Sequence, residues 1–388
     1  MATGCKVVLY IYHMTGSRIR KFFKVFFIVL DLLFCSLFLL SCLTPYVNPV
    51  SWWFFGFLSL AVPYLILILI FSIIFWLIIK PKFVFIPLVC LLIGWKHLSV
   101  VFAWHLKTNF TDVKADSVLR IVDWNVASMY GLSQNTLTRF HDRMEIAQLI
   151  LSENPDIICL QEFSHSDTQG SQAENIELFS SKYPYYFFSK DQQRGNGYYL
   201  YGSVIFSKFP MVDTGRTTYL ANAPEHESLI YLDIRKGEDT IRVYTAHLQS
   251  FEFSPSDYEN IEKIKQPGEE SLQASKSVAS KMKLAFTRRG TQADIIKNAI
   301  DKSPYPSIMC GDFNDVPNSY TYMHIRGNRQ DAFLASSFGI GRTFNTLAPT
   351  LRIDYILPDE HFNVNQFEIV DEGLSDHRML VTDLSLKK

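Results

Sequence analysis

The sequence predicts an α/β (α+β) fold in which two packed β-sheets carry helices on their outer faces, preceded by three transmembrane helices. Long apolar stretches fill most of residues 22–104. From residue 118 onward, short apolar runs recur, most of them bounded by Gly, Pro, Asn or Asp, as β-strands are. Helical patterns lie between some of these runs. Many strands with a few long helices favour two sheets packed together with helices outside.

The three apolar stretches lie at about residues 22–43, 52–79 and 83–104. A helix needs about 20 apolar residues to cross the hydrocarbon core of a bilayer, so each stretch is long enough. The second contains no charged residue, whereas the first and third each contain one or two polar ones. We therefore expect residues 1–106 to form a membrane anchor and residues 107–388 to form a separate folded domain.

The basic residues beside these stretches predict their orientation. Arg18, Arg20 and Lys21 precede the first stretch, and Lys80 and Lys82 lie between the second and third. Positively charged short loops stay in the cytoplasm. The N-terminus is thus predicted to be cytoplasmic, and three crossings place the C-terminal domain outside the cytoplasm, as periplasmic or extracellular. The charge pattern favours a bacterial inner membrane.

An alternative for the first stretch is a cleaved signal peptide. The segment 39–42 faintly resembles a bacterial lipoprotein cleavage site. Asp31, inside the apolar stretch, argues against cleavage. The two remaining crossings would still leave the C-terminal domain outside.

Charge separates the two parts of the chain. Residues 1–105 hold eight of the 37 Lys and Arg residues but only one of the 38 Asp and Glu residues, so the remainder is acidic. A general nucleic-acid-binding protein needs clustered Lys and Arg to neutralise phosphates, and the acidic part shows no such stripe.

The two cysteines of the acidic part, Cys159 and Cys310, lie in apolar runs, where a thiol behaves as a small apolar group. The sequence therefore predicts neither a disulfide framework nor a thiolate metal site.

Helices are predicted at residues 143–154, where Pro155 ends the pattern, and at residues 272–300. Acid, amide and imidazole side chains lie repeatedly at the ends of the predicted strands. Asp and Asn favour such positions for structural reasons alone, so one of them would carry little weight. Eight together indicate a site at one rim of the sheets. They are Asn125, Glu162, His247, Asp312, Asn314, Asp354, Asp376 and His377.

Seven of these eight residues, all except His247, lie in five stretches, of which three are individually specific: Gly311–Ser319 (GDFNDVPNS), Arg352–Ile356 (RIDYI) and Ser375–His377 (SDH). Together with Pro155–Glu162 and Asn125, they resemble the endonuclease/exonuclease/phosphatase (DNase-I-like) superfamily. The resemblance implies a four-layer, two-sheet sandwich and identifies the C-terminal domain as catalytic. It also implies a metal-dependent hydrolase of phosphate esters, either a phosphodiesterase, a nuclease or a phosphatase.

Within that resemblance, Glu162 is the principal metal ligand, and Asn125 and Asp376 support it. Hydrolysis of a phosphate ester needs the charge on its oxygens neutralised. A hard cation such as Mg²⁺ prefers carboxylate and amide oxygens, so Mg²⁺ is the expected cofactor, with Mn²⁺ as the alternative.

The resemblance also implies roles for the other five residues. His377 is the base or the charge-stabilising imidazole beside the phosphate, and Asp354 orients it, as carboxylates do in hydrolase triads. Asp312 positions the water or protonates the leaving group. Asn314 donates to a phosphate oxygen, and His247 is a second imidazole contacting the phosphate. The sequence does not decide which group moves the proton.

The favoured substrate is a lipid or lipid-linked headgroup, as for a sphingomyelinase, because the domain is acidic and the anchor holds it near a bilayer. The alternative is an endonuclease or exonuclease acting on DNA, which would need a local basic groove that bulk charge does not reveal. A non-catalytic binding protein on the same fold is a remote alternative. More than sixty residues lie between His247 and Asp312, including the acidic loop 252–270 and the helix after it. This insertion is predicted to shape substrate choice. The sequence indicates no protein partner.

Overall fold

The computed structural model describes residues 2–105, 110–132, 136–219, 227–264 and 269–387. The chain divides into two compact units, Met1–Thr44 with Phe57–Ser99, and Pro45–Gly56 with Val100–Lys388. The boundary predicted between residues 106 and 107 stays a prediction, and the second unit takes up residues on both sides of it.

The first unit consists of apolar helices. They are α1 (Ala2–Ser41), α2 (Phe54–Ile79), α3 (Phe85–Ile93) and α4 (Trp95–Val101). Lys21–Tyr46 and Phe54–Ile79 are each long and apolar enough to cross a membrane. The third predicted span is broken, because the helices at Pro81–Ile93 and Trp95–Val101 meet at an angle of 69°. Among the described residues, the number of helices long and apolar enough to cross a membrane is therefore two, or three if the bent pair forms one span.

Asp31, the acidic residue inside the first apolar stretch, is buried and hydrogen-bonded. Ser72 Oγ donates to one of its carboxylate oxygens at 2.6 Å, and Trp76 Nε1 donates to the other at 3.2 Å. Both donors belong to α2. An acid inside an apolar bundle is costly unless it is paired, so these bonds explain how α1 accommodates it.

The second unit has the predicted alternation of strands and helices. Its helices are α5 (Thr136–Ser152), α6 (Glu177–Ser180), α7 (Pro255–Ile264), α8 (Glu269–Ile300), α9 (Tyr320–Arg326) and α10 (Ala332–Ser336). Its strands are β1 (Ala103–Trp104), β2 (Leu119–Asn125), β3 (Ile157–His165), β4 (Tyr185–Phe188), β5 (Gln192–Arg194), β6 (Tyr199–Ser207), β7 (Met211–Thr218), β8 (Ser228–Lys236), β9 (Asp239–His247), β10 (Ser307–Asp312), β11 (Phe338–Gly339), β12 (Asp354–Pro358), β13 (Phe362–Val370) and β14 (Met379–Leu386).

Two large sheets form the centre of this unit. One has the order β13-β14-β2-β3-β6-β4, with β5 paired to β6, and the other has the order β12-β10-β9-β8-β7. Strands β2 and β3 are parallel, as are β9 and β10. Short strands β1 and β11 pair separately. Parallel neighbours bring the carboxyl ends of their strands to one edge, and this places the candidate residues together.

Apolar side chains fill three layers between and outside the sheets. Between them lie residues from both, such as Ile121 and Ile308, together with the free cysteines Cys159 and Cys310. Helix α5 covers the outer face of the larger sheet, and α8 and α9 cover that of the smaller one. The four-layer sandwich predicted from the sequence is thereby confirmed, and both cysteines are buried as expected.

The segment joining α1 to α2 packs onto α8 within the second unit. Asn48 Nδ2 donates to Asp294 Oδ2 at 3.0 Å, and the Lys283 ammonium lies 5.0 Å from the centre of the Trp53 ring. A Cβ atom on Gly56 would lie only 2.4 Å from the Phe286 ring. Such close approach requires glycine, so residues 45–56 are an integral part of this unit.

Candidate active site

Strands from both sheets deliver the candidate residues to one rim. Asn125 is the last residue of β2, His247 of β9 and Asp312 of β10, whereas Asp354 is the first residue of β12. Asn314 follows β10 by two residues. The side chains at strand ends converge here because β9 and β10 run parallel in register, with Asp312 opposite His247.

Glu162 reaches the rim by a different route from the one the sequence suggested. Its strand does not end there but continues to His165. The pairing of β3 with β6 shifts register between Leu160 and Phe163, and Glu162 has a φ of 50°. This β-bulge re-aims one side chain, so Gln161 points into the core while the Glu162 carboxylate points into the site. A left-handed backbone at a non-glycine residue is strained and is common at functional sites.

Asp312 lies at the centre of the cluster. Its Oδ2 accepts from Asn125 Nδ2 at 3.1 Å and lies 3.6 Å from Nε2 of both His247 and His377. Its Oδ1 accepts from the Asn314 backbone N–H at 2.8 Å. Asn125 Nδ2 also lies 3.1 Å from Glu162 Oε1. One oxygen of a fully buried carboxylate thus lies 3.6 Å from two imidazoles.

His377 is held by Asp354 on its far side. The Nδ1 atom lies 3.0 and 3.1 Å from the two Asp354 carboxylate oxygens, and the Phe344 ring packs 4.8 Å from the imidazole. Burial by itself lowers the pKa of His377, but the Asp354 and Asp312 carboxylates outweigh this effect and raise it to about 10. The surrounding carboxylates therefore favour the imidazolium form.

Glu227 lies behind His247 as Asp354 lies behind His377, at a longer distance, and the sequence analysis missed it. Its Oε1 lies 3.5 Å from His247 Nδ1, while His247 Nε2 faces Glu162 at 3.7 Å. Burial raises the pKa of Glu227 to about 7, and the neighbouring His247 opposes that rise. Glu227 directly precedes β8, so the strand-end pattern that identified the other residues also applied to it.

The residues predicted to hold a metal offer only oxygen ligands. Burial raises the pKa of Asp376, the His377 imidazole opposes this, and the Glu162 carboxylate adds to it. Two carboxylates with like charges close together fit a hard divalent cation. Asn125 turns its Nδ2 toward Glu162 and Asp312, so its amide would have to rotate by half a turn to add an oxygen ligand. Asp312, Asp354 and His377 form another group of possible ligands among the described residues. In that group, however, His377 Nδ1 is already bonded to Asp354.

An acidic cavity of about 190 Å³ opens beside these residues. Glu162 and His247 line it, together with Asp191, Glu227 and Glu252. Glu252 belongs to the insertion that was predicted to shape substrate choice, and residues 265–268 of that insertion lie outside the described residues. A cavity rich in carboxylates attracts cations rather than a free phosphate, as a metal-assisted reaction requires.

Comparisons with known proteins agree with this geometry. A model of the Endonuclease/Exonuclease/phosphatase family matches residues 124–377, and one described as a domain of unknown function (DUF8431) matches residues 21–101. No curated protein matches the sequence. The human nocturnin catalytic domain, solved with bound sulfate, is 18% identical with a TM-score of 0.50, covering 72% of this chain and 97% of that domain.

A bacterial structure, an endonuclease/exonuclease/phosphatase from Bacteroides vulgatus, is 19% identical with a TM-score of 0.49 and covers 70% of this chain and 99% of its own. The likeness to the nocturnin domain shows a shared fold. The family model spans more than half of the chain and includes all eight candidate residues. The chain therefore belongs to the endonuclease/exonuclease/phosphatase family, whose members are divalent-metal-dependent hydrolases of phosphate esters.

Proposed function

We propose that this chain is a Mg²⁺-dependent phosphodiesterase held at the outer face of a membrane. The observation that carries the chemical part of the proposal is the placement of Asp312 Oδ2 within 3.6 Å of two imidazoles, each backed by a second carboxylate. Glu162, Asp376 and the Asn125 amide would hold the cation. When bound, the cation neutralises charge on the phosphate oxygens.

The other side chains act on the phosphate and on the water. His377, fixed by Asp354, donates a hydrogen bond from Nε2 to a non-bridging phosphate oxygen. His247 donates to another phosphate oxygen from the opposite side. Asp312 accepts the proton of the attacking water, and the leaving alkoxide takes a proton from solvent or from an imidazolium. Asn314 Nδ2 donates to the Leu248 carbonyl at 3.0 Å, and its second N–H supplies a donor to the phosphate.

The membrane part of the proposal rests on the apolar helices and on the segment 45–56. A loop and the domain that packs on it lie on the same side of a bilayer. Segment 45–56 joins the first two apolar helices and packs on α8 of the catalytic unit, so the segment and that unit share a compartment. The basic residues Lys80 and Lys82 then lie on the cytoplasmic side. Proteolysis of right-side-out vesicles should digest the catalytic unit. Its protection there, with digestion in inverted vesicles, would reverse the orientation.

A lipid headgroup remains a candidate substrate because segment 45–56, whose last three residues begin α2, packs on α8 near the insertion. Insertion residues Phe251 and Phe253 stack with ring centres 5.2 Å apart, and Phe251 packs against Phe286. These rings extend from the acidic cavity toward residues predicted to lie at the membrane surface. Sphingomyelin and phosphatidylinositol in mixed micelles test this substrate class. Replacing residues 255–264 by a short Gly-Ser linker should change the relative rates on lipid and small diester substrates.

The full chain in detergent micelles provides the direct test of the chemistry. Bis-p-nitrophenyl phosphate should be hydrolysed with Mg²⁺ and not with EDTA. Glu162→Ala and His377→Ala should each abolish turnover. His361→Ala is the matched control, since His361 Nδ1 also lies 3.0 Å from a carboxylate, that of Asp359, but at the exposed surface. Folded protein that binds Mg²⁺ and hydrolyses none of the esters would favour the non-catalytic binding protein.

A further inference from the structure

A second cleft, of about 550 Å³, adjoins the acidic cavity and is lined by tyrosines. Tyr130, Tyr198, Tyr199 and Tyr201 form most of its aromatic surface, and we call it the tyrosine cleft. Tyr201 also lines the acidic cavity beside Glu162. The two cavities therefore share a wall residue and are neighbours.

Local structure ties this cleft to the metal site. Tyr130 follows Asn125 by five residues, after Ala127, Ser128 and Met129, which all have positive φ between 43° and 66°. Three consecutive left-handed residues are strained and persist only where packing imposes them. The turn directs the chain from the metal ligand to the cleft. There, the Tyr130 hydroxyl lies 3.3 Å from that of Tyr201.

The β5–β6 hairpin presents the other three rings. Gln192–Arg194 pairs with Tyr199–Tyr201, and the turn between them contains Asn196 and two glycines with positive φ. Tyr198 and Tyr199 meet edge to face at 4.6 Å, and the Tyr198 hydroxyl bonds that of Ser171 across the cleft at 2.6 Å. Tyr198 keeps 38% of its surface exposed. The hairpin thus offers aromatic faces that the core does not use.

The charges around the tyrosine cleft are opposite in sign to those of the acidic cavity. Arg139 and Arg143 line the cleft, and among its described lining residues there is no carboxylate. The Arg139 guanidinium lies 5.2 Å from the Tyr130 ring centre. Arg194 lines the acidic cavity, and its guanidinium lies 5.0 Å from the centre of the Tyr201 ring, which both cavities share. Guanidinium groups over these rings repel a cationic headgroup such as choline. The cleft suits a ligand that is both ring-bearing and anionic.

We propose that the tyrosine cleft binds a nucleotide unit next to the scissile phosphate, so that the substrate is a single-stranded nucleic acid. A nucleobase stacks on tyrosine faces whatever its sequence, and Arg139 meets the flanking phosphate. The domain is acidic overall, yet two arginines and no carboxylate are among the described residues that line this cleft. The inference rests on the proposed phosphodiesterase, because it assigns the group attached to the phosphate that the metal site cleaves.

Binding can be measured without turnover. The full chain in detergent with EDTA is titrated into a fluorescently labelled thymidine oligonucleotide, and separately into an abasic oligonucleotide of equal length and charge. The native protein should bind the oligonucleotide with bases roughly tenfold more tightly, since stacking one base contributes about that factor. Tyr198→Ala and Tyr199→Ala should each remove most of this preference. Tyr186→Ala is the matched control, because Tyr186 is 41% exposed but lies on β4, outside the cleft.

Two outcomes would overturn the inference. Equal affinity for the oligonucleotides with and without bases would show that no base is bound. Displacement of the oligonucleotide by anionic lipid in mixed micelles, lost in Tyr198→Ala, would assign the cleft to a lipid headgroup. Failure of the phosphodiesterase proposal is distinguishable, because it would abolish metal-dependent hydrolysis while leaving the base preference of binding intact.

Discussion

Replacing Asp354 by Asn tests whether the carboxylate behind His377 sets its function. The substitution preserves size but removes a charge that lies 3.0 Å from His377 Nδ1, with both side chains buried. At an effective dielectric constant of about 20, two charges at that distance attract by about 5.5 kcal/mol. This figure is an upper limit, because Asp312, 3.6 Å from His377 Nε2, also stabilises the imidazolium. We expect kcat to fall roughly 10²- to 10⁴-fold, or about 3 to 5 kcal/mol in the barrier.

The assay is initial-rate hydrolysis of bis-p-nitrophenyl phosphate at saturating Mg²⁺, with Mg²⁺ affinity measured by calorimetry on the same sample. Because Asp354 contacts His377 and none of the three proposed metal ligands, Mg²⁺ affinity should change little while kcat falls. The pKa of His377, read from the NMR titration of its ring protons, should drop below about 10. A folded Asp354→Asn protein with kcat within about threefold of the native value would refute the orienting role of this carboxylate.

Three further perturbations have outcomes fixed by single contacts. Glu162→Gln should weaken Mg²⁺ binding by at least about tenfold in calorimetry, since it removes the charge of the principal ligand. An unchanged affinity would show that the metal site does not include Glu162. Gly311→Ala should prevent folding or lower the thermal midpoint by many degrees, because its Cβ would lie 2.0 Å from the Ala246 carbonyl oxygen; a midpoint equal to that of the native protein would contradict the parallel pairing. Asp383→Ala should destabilise the protein by about 3–5 kcal/mol in denaturant unfolding, because it leaves the buried Arg120 guanidinium without its two-bond carboxylate partner; a loss below about 1 kcal/mol would exclude that pair as a source of stability.

The sequence predicts the central architecture well because apolar strands leave a local signal. Most of the buried runs from β2 to β14 are bounded by turn-forming residues, and polar side chains at their ends are visible without knowledge of pairing. Helix α8 begins at Glu269 and ends at Ile300, within three residues of its predicted limits. Helix α5 begins at Thr136, earlier than predicted, because its first turns lack the apolar spacing that marks the rest.

The remaining features depend on contacts between residues distant in the chain. The bulge at Glu162 follows from the register of β3 against β6, and no local signal announces it. The role of Glu227 follows from its contact with His247, which lies on the neighbouring strand. The tyrosine cleft combines residues from three separate segments, so the net charge of the domain does not reveal that arginines line it. The break in the third apolar stretch falls at Gly94, where composition alone continues to predict a helix.

The packing of segment 45–56 on α8 has a practical consequence for the design of truncated forms of the protein. The chain enters the catalytic unit before its second apolar helix and re-enters it at Val100, whose carbonyl accepts a hydrogen bond from the buried Arg352 at 2.8 Å. A fragment that starts at residue 107 would uncover Phe286 and remove that acceptor. A soluble form of the enzyme is therefore better sought by shortening the segment 57–99 than by removing all residues before 107.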